Sequence, residues 1–526
     1  MSTPLRVVTR MGLAWFGLGL GSALAAPLPP DAQGLLDSLP GKKVTLDFVL
    51  ARAMSSSDSF KAVIAQGAGV EVPLLSAKIP LDTRLSLSLG RQINENEALS
   101  SFMPNRSSGT QLKLGASTYF RTGTMLSFDL ATGYSDMTFP GLGGPGTAFT
   151  AAGYETKPSF TLVQNLWKDG FGSGTRRGLE AGEFGREASQ AAFDESLEEW
   201  VLGIVDIYYN AWMLQSRIKT AQDSLKRRQR LASITESKAR RGTAERPDVL
   251  QVKSAVLATE VMAERANQGL AQVWRSLVVS LKLPSAWVNL DASEIPLVVD
   301  EFGPKQLELC QLLQKEGYEF ALDSATRKLD LQAKAAELTL DRAKSLAAPE
   351  AQLLLAVSPN GISNTLGSSF SEGFTTQHLA WTASVGLNFP IMNYAAEAEV
   401  RNAIVNRERV ESIAASAKRD MRVRWINQCD DTRRLVDSTR KLQQAFDNQL
   451  LRVQLDEDRF KIGKVPLLSV IQAGDDATYA EGDLRQTELE MRLAHWKLTR
   501  LAGKVKDYAQ QVADQYRNFQ SPYLKD

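Results

Sequence analysis

The chain has 526 residues, enough for two to four domains on length alone. Its 61 Lys and Arg against 60 Asp and Glu exclude the basic surplus that a dedicated nucleic-acid binder needs to displace counterions. A 43% apolar share excludes wholesale disorder, and two Cys with two His leave too little for a structural zinc site or a disulfide scaffold.

Residues 1–25 read as a signal peptide: Arg6 and Arg10 precede the apolar run Met11 to Leu20, and Ala23-Leu24-Ala25 is a small-x-small cleavage site. No Cys follows it, which argues against a lipid anchor on the mature N-terminus. After the segment 26–45, no window of about 18 uninterrupted apolar residues occurs, so a spanning helix is not expected. An exported chain of this kind is periplasmic, released, or inserted in an outer membrane as strands.

Arg176 to Arg241 runs without Pro, which predicts a helix of about 100 Å. Its apolar residues recur at sevens, as Leu197, Ile204, Ala211 and Ile218, beside a second line of Trp200, Ile207 and Leu214. Two adjacent seams suit a helix with neighbours on both sides. The pattern returns from Ala395 to Ile462. A shift of 221 places Gly242 on Gly463, Val249 on Val470, Gln251 on Gln472 and Glu260 on Glu481, which marks an internal repeat. The breaks after the long helices, 242–247 and 463–466, carry Gly and then Pro, a stop followed by a start. Each copy is therefore a helical hairpin whose returning arm, Asp248 to Leu283 or Leu468 to Ala502, is too short for the first. Leu322 to Ser345 and the weaker Asp58 to Ile79 are expected to fill the remaining length.

Between these helices the period changes to two. Arg84 to Leu89 and Ser159 to Val163 alternate in copy one, and Gln352 to Val357 and His378 to Phe389 in copy two. Such segments fit about four membrane-barrel strands per chain, which close only by pooling several chains.

In the order of these features the sequence resembles the outer-membrane efflux protein (TolC) family, from about Leu46 to Lys504. The carriers are the duplicated Gly-x6-Val-[Leu/Ile]-Gln at the hairpin tips and the strand-to-helix junction Asn388-Phe389-Pro390-Ile391. Segments at Leu46 and Leu307 resemble the family's opening helices. The resemblance implies a mixed α and β membrane protein: a homotrimer with a twelve-stranded barrel in outer-membrane lipid, continued by a twelve-helix periplasmic tunnel. Repeats would cover 46–284, with strands at about 80–166, and 285–504, with strands at about 349–390; 505–526 would be a tail. It implies partnership with an inner-membrane pump and docking of a periplasmic adaptor (membrane fusion) protein at the tips Gly242, Thr243, Ala244, Gly463, Lys464 and Val465. It also implies a gate near the tips. Asp248, which matches a family position, and Arg246 lie on the first returning arm, with Arg459, Phe460 and Lys461 ending the other long helix. The family's carboxylate positions hold Ser469 and Gln472 here, and Asp475 and Asp476 follow one turn later.

Two further departures stand out. Asn165 occupies the Pro of the family's Gln-Pro-Leu junction, and Pro80 to Asn165 is about twice as long as its counterpart. The surplus, Gln111 to Phe139, alternates and turns at Thr122-Gly123.

No catalytic, cofactor or metal constellation emerges. Gly141-x-Gly-Gly-Pro-Gly146 lacks the strand and helix of a nucleotide cradle, and neither His378 nor His495 has a partner at ligand spacing. Cys310 and Cys429 are read as free buried thiols in preference to a bridge. The favoured function is a passive conduit for solutes or proteins in a tripartite efflux or type I secretion system. The rival is a helical scaffold without a pore, which would have no use for matched alternating strands.

Overall fold

The structure is a computed structural model describing residues 30–39, 42–95, 103–139, 149–299, 307–310 and 323–516. The expected signal peptide, most of the Gly-rich loop and the last ten residues of the tail lie outside the described residues.

Two helices dominate: α5 (Ser173–Arg240) and α9 (Tyr394–Lys461), each of 68 residues. Their returning arms, α6 (Arg246–Ser280) and α10 (Leu467–Leu501), have 35 residues each. All four ends are related by the same shift of 221 found in the sequence. The turns are identical in mechanism. Gly242 and Gly463 adopt φ of 72° and 79°, and the next residue's N–H reaches back to Lys238 O or Arg459 O at 2.9 Å. These left-handed Gly caps satisfy carbonyls that the helix end would otherwise orphan.

The remaining length is filled as expected, more cleanly in copy two. There α7 (Ser324–Leu346) starts where the Asp323 carboxylate accepts the Thr326 N–H at 2.9 Å. In copy one α2 (Leu46–Ser56) leads into α3 (Asp58–Gly67) and α4 (Val72–Lys78), separated by a turn. Asp58 to Leu81 is long and apolar enough, by length and composition, to cross a membrane, which amends the sequence expectation. It is interrupted at that turn, holds Pro73 and Pro80, and packs along α5.

The helices form a layer four columns wide. The α3–α4 and α6 column flanks α5; next come α7 and α10; α9 closes the far side, packing mainly on that third column. The main core lies midway along the layer. There Val201, Val205 and Tyr208 of α5 meet Phe48 and Leu50 of α2, Trp274 of α6 and Val505 of α11 (Val505–Tyr516). Both outer columns leave apolar side chains exposed: Leu250, Leu257 and Met262 on α6, and Val405, Val423 and Leu451 on α9.

One antiparallel sheet continues the layer, in the order β1 (Arg84–Asn94), β2 (Arg106–Tyr119), β3 (Thr124–Phe139), β4 (Phe149–Asn165), β5 (Glu350–Pro359), β7 (Leu379–Asn388). A short β6 (Gly361–Ser363) extends β5 alongside β4, and an eight-residue helix, α8 (Leu366–Gly373), packs over them. The expectation of about four strands is therefore corrected to six long ones among the described residues. The surplus segment is a full hairpin, β2–β3, seated between β1 and β4.

The reading of free thiols is also corrected. Cys310 and Cys429 form a disulfide with Cα atoms 5.8 Å apart, fastening the 307–310 segment to α9.

Candidate conduit, its wall and its two ends

Register turns the strand alternation into two faces. Leu85, Ala116, Phe128, Phe160, Val357 and Trp381 are successive cross-strand partners, an apolar row over all six long strands. Leu87, Leu114, Leu130 and Pro158 form the next row. The opposite face carries Ser86, Gly115, Asp129 and Ser159 in one row and Lys113 and Lys157 in the next. One face suits hydrocarbon and the other water, the division a membrane barrel requires. Both edge strands are exposed throughout, β1 on one side and β7 on the other. Unpaired edges of this length call for another chain.

The apolar face has marked limits. Trp167 and Phe389 meet edge-on at the helix end, centroids 5.7 Å apart, and Tyr134 and Tyr154 meet at 5.2 Å toward the other. Aromatic pairs at two levels are what a bilayer's interfaces select.

The strand-to-helix junction explains one departure. The Asn165 N–H donates to Gly123 O at 3.0 Å, and its side-chain amide donates to the Tyr119 hydroxyl at 2.9 Å. Proline could not make the first bond. Asn replaces Pro because the turn of the extra hairpin consumes that N–H. The turn then presses on the start of α5: a Cβ on Gly172, whose φ is 74°, would lie 2.0 Å from Arg121 O. Beside it Asp169 accepts the Thr175 N–H at 2.8 Å and the Tyr119 hydroxyl at 2.8 Å, supplying the first turn's missing acceptor.

At the opposite end the hairpin tips stand free. A Cβ on Gly242 or Gly463 would meet nothing within 4 Å, and Lys464 and Thr243 are exposed. The two tips are joined just above by Leu231, Val252, Phe460, Leu467 and Val470. Phe460 is buried there. The Lys238 ammonium lies 4.0 Å over its ring and donates to its carbonyl oxygen. Sequence reasoning missed Lys238, although it occupies the repeat position of Arg459 and so could have been singled out with it.

The other candidate gate residues do not converge on one tie within the chain. Asp248 accepts the Glu245 N–H at 3.2 Å in a capping box that starts α6. Lys461 pairs with Asp458 at 2.8 Å on its own helix, and Arg246 and Arg459 are exposed. Among the described contacts Asp248 is paired with neither Arg459 nor Lys461. Capping, a purely local interaction, takes the carboxylate instead. Asp475 pairs with Arg228 of α5, and Asp476 with Arg452 of α9 at 2.9 Å, so adjacent aspartates fasten α10 to both neighbouring columns. Among the described residues, no group of three His, Cys, Asp or Glu is placed to hold a metal ion.

Residues 170–281, spanning α5 and α6, match the family described as Outer membrane efflux protein. No curated protein matches the chain in sequence. Among solved structures, the outer membrane protein VceC of Vibrio cholerae superposes with a TM-score of 0.62 at 12% identity, over 87% of this chain and 96% of that one. The Campylobacter jejuni CmeC outer membrane channel gives 0.62 at 11%, covering 89% of each chain. The Neisseria gonorrhoeae MtrE outer membrane channel, in its open state, gives 0.59 at 16%, over 88% and 89%. The resemblance is thus carried twice, by the outer membrane efflux protein sequence in the first helical hairpin and by the fold of outer-membrane channels across nearly the whole chain.

Proposed function

We propose that the chain is one copy of a trimeric outer-membrane exit duct, a passive conduit that takes cargo from a periplasmic adaptor and an inner-membrane pump. The observation that carries this reading is the apolar row across six strands, continuous with a helical layer whose two outer columns are also apolar. A scaffold without a pore has no use for such a sheet face. The edges match in order, since β1 follows the α3–α4 column and β7 precedes α9. Each copy therefore offers β7 and α9 to the β1 and α3–α4–α6 side of the next, a head-to-tail contact that closes into a ring. Three copies give an eighteen-stranded barrel in place of the twelve strands implied by the resemblance, because the extra hairpin adds two per copy. Mass measurement in mild detergent should show a trimer, and planar bilayers should show large, water-filled conductance steps. A monomer, or a trimer without conductance, overturns the reading.

The free tips support adaptor docking at Gly242, Thr243, Ala244, Gly463, Lys464 and Val465. A Gly463→Trp chain should assemble in the outer membrane yet fail to export, as measured by cargo in the medium. The mouth is held by Phe460 on Lys238, by Asp475 and Asp476 across neighbouring columns, and by Asp248, Arg246 and Arg459 meeting the adjoining copy. Exposed pairs of this kind contribute at most about 1 kcal/mol each, so only a symmetric set holds a mouth shut. Asp248→Ala and Arg459→Ala should raise single-channel conductance; unchanged conductance in both removes these two residues from the gate.

A further inference from the structure

Between the apolar rows of the sheet and the level of Tyr134 and Tyr154 lies a polar spot. Thr132 and Thr156, cross-strand partners on β3 and β4, lie on the same face as Leu130 and Phe160. Their hydroxyls are 2.8 Å apart, and Thr156 reaches Ser369 of α8 at 3.1 Å. Thr156 and Ser369 are both fully buried. Helix α8 thus lies on the outside of the sheet and covers its polar spot. Glycines set the close approach: a Cβ on Gly361 would lie 2.2 Å from Gly373 N, and one on Gly373 2.8 Å from Thr156 O.

What α8 offers in exchange is apolar. Leu366, Phe370 and Phe374 recur every fourth residue along one flank and are 48%, 45% and 48% exposed, with the two rings 5.1 Å apart. Ser368, Ser371 and Glu372 occupy the far side. Thr156 stands nine residues up β4 from Asn165 at the helix end. At about 3.3 Å per residue and about 40° of tilt, that is roughly 23 Å, the upper limit of a barrel's apolar band. A short helix with one apolar flank at that level has the character of an interfacial helix.

We infer that α8 is an external foot that seats Leu366, Phe370 and Phe374 among the acyl chains of the outer leaflet. The inference rests on the reading that the sheet's apolar face meets lipid. A second copy of the chain is too far away to be the occupant. Helix α8 lies over β4, with β5 and β7 between it and the nearer edge, so the next copy's first strand is about 14 Å off.

The test is spin labelling of the assembled full chain in liposomes of phosphatidylethanolamine and phosphatidylglycerol, the native cysteines being bridged and unlabelled. Nitroxides go on Phe370→Cys and, in case that variant folds poorly, on Phe374→Cys. Ser368→Cys reports the far side of α8, Trp381→Cys the apolar sheet face and Thr382→Cys the polar one. Collision with oxygen should exceed collision with a water-soluble nickel complex several-fold at 370 or 374 and at 381, and the order should reverse at 368 and 382. A water-like ratio at both 370 and 374, with a lipid-like ratio at 381, overturns the foot and leaves the barrel standing. Water-like ratios at 381 as well overturn both.

Discussion

The two copies of the repeat agree in their helices and disagree in what joins the helices to the sheet. α5 and α9 have the same length and ends related by one shift, yet twenty residues of α5 are buried against eight of α9. The difference is one of position: α5 is an inner column, and α9 is an outer edge of the layer. Tethering differs in the same way. Cys429 of α9 occupies the repeat position of Tyr208 of α5. Tyr208 secures its segment through a hydroxyl 2.8 Å from Val44 O and 2.5 Å from Val298 O, while Cys429 does so through a disulfide to Cys310. Equal helices are thus fixed by a buried hydroxyl in one copy and a covalent bond in the other.

The sharpest way to break this comparison is at the junctions. Gly172→Val puts a side chain into Arg121 O at a left-handed backbone position and should cost well over about 3 kcal/mol, removing folded protein. The matching position in copy two holds Asn393, at an ordinary negative φ of −98°, whose side-chain amide donates to Ala347 O at 3.2 Å. Asn393→Val should cost only about 1 kcal/mol. Denaturant midpoints of the two variants make the comparison, and equal losses would mean that the extra hairpin does not bear on α5.

The tethers come next. Cys310→Ser should cost about 2–4 kcal/mol, and Tyr208→Phe about 1–3 kcal/mol by leaving buried carbonyls unserved. Thermal unfolding with and without a reductant checks the first: the parent should lose stability on reduction and Cys310→Ser should not respond.

The smallest effect concerns Glu198, an asymmetry of charge, since Arg419 stands at its repeat position. Its carboxyl is buried in the layer, and burial pushes its pKa up to about 7, against the opposing Ser324 hydrogen bond and the Arg500 charge. Between the ordinary carboxylate value and about 7 the folded chain keeps a proton that the unfolded chain has released. Stability should therefore fall as pH rises through that window, by about 1 kcal/mol once solvent screening of the group is discounted. Glu198→Gln should flatten the profile between pH 5 and pH 8; an unchanged slope would assign it to other groups.

The helices were legible because their signals are local and doubled. Gly242 and Gly463 end helices by backbone geometry alone, and the shift of 221 lets each copy check the other. The strand count was not legible, since β2 and β3 have no partner in copy two against which to be recognised. Their alternation says that they are strands, but only the register with β1 and β4 says which sheet they join. Local bonding at the tips was least legible: Asp248 carries a charge that suits an ion pair, but its place at the third residue of a helix lets the backbone claim it within one chain. The Asn165 substitution looked like a loss of the junction's Pro, and it is in fact the trace of the hairpin that needs its N–H.

That hairpin also sets a circumference. Six strands about 4.8 Å apart and tilted by about 40° span roughly 38 Å of wall. Four helix columns about 9–10 Å apart span roughly the same. Each chain is then a stave of even width, whereas a four-stranded share at the same tilt would narrow to about 25 Å. In the proposed ring, a wall built of such staves would meet the membrane without a shoulder, and cargo clearing the helices would find no tighter ring of strands beyond them.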